Sequence, residues 1–319
     1  MNLSSPTQTG PQRWRGYALV LLAATLWGTL GLFYTHLLDG YGLSTLTLAF
    51  FRALLTALIL FGTRFVLRAM RPQRQQTDQQ RVTRRDLAGF AVFGLLGVAA
   101  FYIVYAGAIN RAGVGVSAVL MYTAPAWVTG LSALLLGERL TRRKGFALLL
   151  VILGAALVAR LYDPGTLTLD PLGVLLGLGA GLTYGLYTLF SKVALRRFDV
   201  WTVLAWALAF GALFMLPVQS GEELARAATT PVILVWLVMT ALVPTLLAGV
   251  SFNLGLRDLP ASHASIVATW EPFVAVGLGA LVLGEQFDVL QLGGGALIVA
   301  AVIVLSLGRR HHPKGVAAG

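Results

Sequence analysis

"YTAPAWVTGLSALLLGERL" at residues 122–140 and "TWEPFVAVGLGALVLGEQF" at residues 269–287 fall on one another without a gap when the chain is slid along itself by 147 positions. Pro125 meets Pro272, Gly130 meets Gly277, and Leu136-Gly137-Glu138 meets Leu283-Gly284-Glu285. Nearer the start of each half the offset is 157, where Gly16 meets Gly173 and Trp27-Gly28 meets Tyr184-Gly185. The chain therefore reads as two related halves. An extra basic loop in the first half absorbs the difference between the two offsets.

The halves are apolar. Of 319 residues, 57% are hydrophobic and 12% charged, and the mean hydropathy is +0.78. Soluble domains carry about 25% charged residues. Apolar runs of about 20 residues recur, each long enough to cross a hydrocarbon core of about 30 Å as a helix. The runs are solid rather than alternating, which argues against barrel strands. The expected fold is an all-α polytopic membrane protein with ten transmembrane helices. Its spans are 15–37, 44–69, 87–109, 115–137, 143–161, 171–193, 200–218, 231–256, 262–284 and 288–308, separated by turn sequences such as "RAGVG" at 111–115 and "RDLPAS" at 257–262. Five spans per half is an odd number, so the second copy crosses in the opposite sense. The expected architecture is two inverted five-helix repeats around a central cavity. They occupy 15–161, with a basic loop at 70–86, and 171–308, between an N-terminal tail (1–14) and a C-terminal tail (309–319).

Charge placement fixes the expected orientation. Twenty of the 24 Lys and Arg residues lie at one set of loops and tails, three (Arg111, Arg160, Arg226) at the other, and Arg52 lies within a span. By the positive-inside rule both termini are cytoplasmic. The same split accounts for the net charge of +11 without nucleic acid. The first run, after Arg13 and Arg15, reads as an uncleaved span. The absence of cysteine and the scattered histidines leave no metal or cofactor motif. No phosphate-binding G-x-x-x-x-G-K-[ST] is present, so the chain does not itself hydrolyse ATP. Arg outnumbers Lys 21 to 3, a bias of GC-rich bacteria, and the expected location is the bacterial inner membrane.

Polar and aromatic residues well inside spans face protein or a cavity rather than lipid. Span 6 carries Thr183, Tyr184, Tyr187, Thr188 and Ser191 on one stripe, beside a ridge of Gly173, Gly177, Gly181 and Gly185 suited to close helix contact. Trp27 in span 1, Tyr102 and Tyr105 in span 3, Tyr122 in span 4, Asn253 in span 8, and Trp270 and Glu271 in span 9 complete a candidate substrate cavity. Its rings and hydroxyls suit an aromatic or amphipathic small molecule. Headgroup-belt residues such as Trp14 and Tyr162 are the contrasting case. Arg52 and Glu271 are charges within spans and are expected to pair, directly or through water. Glu271 is also a candidate for proton coupling, beside a purely structural reading. Pro125 and Pro272 bend their helices at matching points. Glu138 and Glu285 are expected to cap the start of the following span. Lys192 reads as snorkelling to water.

The ten spans, the inverted halves, "TAP…LLLGE" and "WEP…LVLGE" together resemble the EamA-type carriers of the drug/metabolite transporter superfamily. The resemblance covers nearly the whole chain. It implies a basket of helices whose cavity is lined by spans 1, 3, 4, 6, 8 and 9, with spans 5 and 10 peripheral, and an Arg at this point in span 2. It also implies export of amino acids or similar metabolites. An inverted repeat has its own logic, since it gives two similar conformations open to opposite sides. The expected function is a non-enzymatic secondary carrier working on a small-molecule substrate by alternating access. The competing readings are an intramembrane enzyme, for which no nucleophile-base pair is visible, and a passive pore. A monomer already holds a complete pseudo-symmetric pair.

Overall fold

The computed structural model describes residues 10–70, 82–164, 170–283 and 288–307, and every regular element among them is a helix. Residues 1–9 of the N-terminal tail, 71–81 of the basic loop, Glu285 and the C-terminal tail lie outside the described residues.

Helix starts follow local chemistry. Asp170 accepts a hydrogen bond from the Leu172 N–H (3.1 Å), with Pro171 supplying the fixed φ of a first helical residue. Asp199 caps Val200–Met215 through the Thr202 N–H (2.8 Å). Asp288 and Gln291 form a reciprocal capping box at the head of Val289–Ser306. Each cap satisfies amide donors that would otherwise enter the membrane unpaired.

Among the described residues, eight helices are long and apolar enough to cross a membrane: Gln12–Tyr41, Thr45–Leu67, Arg84–Met121, Pro171–Ala194, Val200–Val218, Pro231–Asp258, Ala261–Val282 and Val289–Ser306. The ten expected spans differ from this number for a physical reason. Arg84–Met121 holds 38 residues. As one straight helix it would reach about 57 Å. Gly113 breaks it, with φ 78° and ψ 166°, a conformation open to glycine and strained for other residues. The apolar helix Ala124–Leu136 that follows has 13 residues, and Arg142–Val158 has 17.

Several long helices are interrupted. Turns at Thr29, at Tyr122–Thr123 and at Thr269–Trp270 divide them. The second and third are repeat mates, and Pro125 and Pro272 each follow as the second residue of the resumed helix. Two π-helical segments, Gly94–Ala99 and Leu242–Leu247, also occupy corresponding places in the halves, which sequence periodicity does not disclose. The second has a visible cause. Pro244 has no N–H to give to the preceding turn. The freed Thr240 carbonyl accepts from the Thr245 hydroxyl (2.7 Å), and the Ala241 carbonyl accepts from Thr56 of the neighbouring helix (3.0 Å).

Glycine sets the closest helix contacts. The ridge of Pro171–Ala194 lies on the broken helix before and after Tyr122. A Cβ at Gly177 would meet Leu120 at 2.6 Å, and one at Gly181 would meet Thr123 Oγ1 at 2.5 Å. Gly154 and Gly294 cross backbone to backbone, where a Cβ on either would stand within 2.7 Å of the other's carbonyl oxygen. Such approach maximises packing between helices that gain nothing from hydrophobic exclusion in lipid.

Candidate substrate site

The interruptions and the aromatic residues converge. Trp27 precedes the break at Thr29, and its ring meets Tyr184 edge-on at 6.4 Å and Phe252 at 5.2 Å. Phe101 stacks on Tyr105 (5.6 Å) and Tyr184 (5.3 Å), and touches Tyr102 (4.9 Å). Phe252 and Phe93 flank Tyr187 at 6.2 and 5.3 Å. Tyr122 packs with Tyr105, Tyr184 and Phe101. These rings come from four long helices and the turn at Tyr122, and form one continuous belt.

Tyr102, Tyr105, Tyr184 and Tyr187 are half-buried. The hydroxyls of Tyr105, Tyr122 and Tyr184 have no hydrogen-bond partner among the described residues.

Glu271 opens the resumed helix Glu271–Leu283, where a carboxylate gains from the N-terminal helix dipole. It is half-buried. Among the described residues its carboxylate has neither a hydrogen-bond donor nor an ion pair.

Arg52 is 4% exposed. Its Nε donates to the Thr245 hydroxyl at 2.9 Å and its Nη1 to the Tyr34 hydroxyl at 2.8 Å. Its guanidinium lies 5.8 and 5.9 Å from the ring centroids of Tyr34 and Tyr102. The expected direct pairing with Glu271 is therefore absent. Thr245 on the π-helical segment and Tyr34 take two of Arg52's donors, one from Nε and one from Nη1. Thr245→Val is expected to cost about 1–3 kcal/mol, since it strands both the Arg52 Nε–H and the Thr240 carbonyl. Reversible unfolding in mixed micelles measures this.

Other sequence candidates are placed differently. Asn253 is fully buried. Its amide nitrogen donates to the Gly249 carbonyl (2.8 Å) and lies 3.4 Å from the Tyr187 hydroxyl, while its Oδ1 is unpartnered. Trp270 lies in the break itself and has no ring contact with the belt. Its ring pairs with Phe273 (4.5 Å) and its Nε1–H donates to Thr25 (3.3 Å). Pro125 and Pro272 are buried beside the belt. Lys192 does not reach for water, since its Nζ donates to the Leu256 and Leu259 carbonyls at the end of Ala248–Asp258. Phe93 and Phe101, which sequence reasoning passed over, are central to the belt. Their spacing from tyrosines on the same helix is their only sequence signal.

Glu138 does cap a helix, but not the one that follows it. Arg142–Val158 is capped by Thr141. Glu138 Oε1 accepts from the Ala261 N–H at 2.6 Å, and Oε2 accepts from Ser262 and from Lys144 Nζ (3.2 Å). Burial alone raises this carboxylate's pKa. The Ser262 hydroxyl, the Lys144 charge and the Ala261 amide outweigh that and hold it below the ordinary carboxylate range. The contact ties the first half to the second.

An all-helical bundle of long apolar helices, several interrupted and meeting at a belt of aromatic rings, defines the class: a polytopic membrane protein. The EamA-like transporter family model matches twice, at residues 14–160 and 171–307, and this chain belongs to that family. An uncharacterized transporter of Archaeoglobus fulgidus is 31% identical over 91% of this chain and 95% of its own length. A Streptantibioticus cattleyicolor protein named "Probable terminal-alkyne amino-acid exporter" is 27% identical over 86% of this chain and 89% of that protein. The pseudopaline exporter CntI of Pseudomonas aeruginosa is 27% identical over 70% and 77%. A solved crystal structure superposes with a TM-score of 0.72 at 17% identity, covering 92% of this chain and 96% of its own, which is a likeness of fold.

Proposed function

We propose that this chain is a secondary active carrier that exports amino acids or similar small, aromatic or amphipathic metabolites by alternating access. Its ten spans would form two inverted five-helix repeats, 15–161 and 171–308, in the bacterial inner membrane with both termini cytoplasmic. The observation that carries this reading is the meeting of repeat mates within the ring belt. Trp27 and Tyr184 correspond in the two halves, and their rings face one another.

The packing supports the repeat in detail. A Cβ on Gly16 would meet Leu259 and Asp258 at 2.8 and 2.9 Å, and one on its mate Gly173 would meet their mates Ala112 and Arg111 at 2.9 and 3.0 Å. Gly28 lies against the Glu271 carbonyl and Val274, as Gly185 lies against the Ala124 carbonyl and Trp127. Division of Arg84–Met121 at Gly113, with Arg142–Val158 counted as a span, gives ten crossings. That threading also sorts the polar contacts by membrane face. Arg15–Asp258, Arg197–Asp86 and Glu138–Ser262 fall on the side of the N-terminus, and Arg111–Asp170, Arg160–Asp288 and Glu223–Ser44 fall on the other. Each face thus has a carboxylate joining the halves, Glu138 on one and Glu223 on the other. Such contacts can be broken one at a time as the halves rock.

Family and relatives' names favour transport over catalysis. The test is a thermal-stabilisation screen of purified protein over amino acids and related metabolites. Counterflow in proteoliposomes then follows with the stabilising compound. A carrier accumulates labelled compound when unlabelled compound is preloaded. Uptake without trans-stimulation would point to a pore, and conversion of the compound to an enzyme.

A further inference from the structure

Gly221–Thr229 is a short helix between two membrane helices of the second half, and its polar side grips the first half. Glu223 Oε2 accepts from the Ser44 N–H (3.0 Å), the Ser44 hydroxyl (2.8 Å) and the Thr47 hydroxyl (2.6 Å). Arg226 Nη2 donates to the Gly42 carbonyl (2.8 Å), and Gln219 Oε1, just ahead of the helix, lies 3.2 Å from the same Thr47 hydroxyl. The gripped segment, Gly42–Thr47, is the turn that ends Leu30–Tyr41 and starts Thr45–Met70. The carboxylate therefore stands at a helix head, where negative charge is favoured.

Little else holds the short helix down. Of its nine residues Ala227 alone is fully buried, and Leu224 packs only partly on the core. A free helix of this length does not persist in water. Its position depends on the polar grip. The helix also leads directly, through Thr230, into Pro231–Asp258, which carries Phe252. The gripped turn ends Gln12–Tyr41, which carries Trp27, and the two rings meet at 5.2 Å. The grip thus fastens the ends of two helices whose middles meet in the ring belt.

The contact on the opposite face is built differently. Lys144 and Glu138 keep 7% and 12% side-chain exposure there. Parting Glu138 from Ala261 and Ser262 would leave two amides in an interior setting without their acceptor. Glu223 is half-buried at the surface, and a carboxylate released there regains water. One face is fastened by an interior clamp and the other by a surface catch.

We propose that Gly221–Thr229 is a strap that gates the face away from the N-terminus. Glu223 and Arg226 hold it shut on the Gly42–Thr47 turn, and their release opens this face while Glu138 keeps the other closed. This rests on the reading of alternating access, and adds which contact yields and which face opens more readily.

Double electron–electron resonance on the purified full-length chain in lipid nanodiscs tests it without a ligand. Asp39→Cys with Ala228→Cys spans the catch, and Arg139→Cys with Arg196→Cys spans the other face; all four positions are exposed. Glu223→Gln keeps the shape and removes the charge. It is expected to raise the longer-distance population across the catch at least about threefold, and to lower the longer population across the other face. Arg226→Gln frees only the Gly42 carbonyl, should shift both in the same sense by less, and supplies the readout where Glu223→Gln fails to fold. Glu222→Gln, exposed on the same helix, should change neither. Unchanged distances across the catch in Glu223→Gln and Arg226→Gln would overturn the proposal. So would a longer catch distance with no response at Arg139 and Arg196, the behaviour of a fraying surface helix. Two populations at both faces of the unaltered chain, unmoved by these variants, count against the strap alone. A single population at both faces in every form counts against alternating access itself.

Discussion

Glu138→Ala is expected to destabilise the protein by about 3–5 kcal/mol, the cost of breaking a buried ion pair by removing one partner. Lys144 keeps only 7% side-chain exposure and would be left as an uncompensated charge, and the Ala261 and Ser262 amides would lose their acceptor at a helix head. Lys144→Met in the same background removes the stranded charge and should recover a good part of the loss, which separates the charge from the cap. The interaction also has a pH signature. The Glu138 pKa is depressed in the folded protein, so its stabilisation is fully present above the ordinary carboxylate pKa and is lost as pH falls through the depressed value. Unfolding measured from neutral to acidic pH should show a decline that the double variant lacks. A Glu138→Ala single variant as stable as the parent would contradict the geometry.

Gly94→Val is expected to be nearly as damaging, about 3 kcal/mol or more, at the upper end of what overpacking costs. A Cβ here would collide with the Phe210 side chain and lie 2.7 Å from the Gly211 backbone nitrogen, so the neighbour that must give way is main chain. The collision also falls on the π-helical segment Gly94–Ala99, which brings the two helices together. Gly130→Ala is the control. Nothing lies within 4 Å of its Cβ position, and the change should be neutral or stabilising by up to about 1 kcal/mol through helix propensity. Thermal unfolding of both variants in one detergent distinguishes tight glycine from idle glycine.

Much of this was legible in the sequence, for reasons that can be named. Membrane helices announce themselves by length and apolarity, because lipid permits no unpaired backbone. The division into halves is visible in the sliding match at Pro125 and Pro272, and the family model matches the chain twice, at 14–160 and 171–307. The family itself was read from "TAP…LLLGE" and "WEP…LVLGE". Other features depend on tertiary contact and carry no local signal. Glu138 was read as capping the helix after it. Thr141 is one residue closer to that helix and takes the role, which frees Glu138 for a helix more than a hundred residues away. Lys192 was read as snorkelling, but the end of a neighbouring helix offers two carbonyls nearer than water. Arg52 and Glu271 were paired because each needs a partner. Sequence could not show that a π-helical turn at Pro244 would deliver Thr245 to Arg52 and leave Glu271 bare.

The interruptions show the same division. The prolines mark where two of them fall, but the turn at Thr29 has no proline, and the first π-helical segment has none either. Both lie beside glycines that meet the other half closely, Gly28 against Val274 and Gly94 against Phe210 and Gly211, contacts that exist only in the assembled bundle. Those irregular turns sit where backbone groups face protein, the setting in which a membrane tolerates them.

Alternating access is the central claim, and distances across the two faces test it most directly. The chain has no cysteine, so pairs can be introduced and spin-labelled without background. Arg139→Cys with Arg196→Cys reports across the halves on one face, and Asn110→Cys with Thr229→Cys reports on the other. Double electron–electron resonance in lipid nanodiscs is expected to give two-component distributions for both pairs. Addition of the stabilising ligand should shift the populations in opposite directions, with one face widening as the other narrows. Single distributions at both faces, unchanged by ligand, would contradict the account.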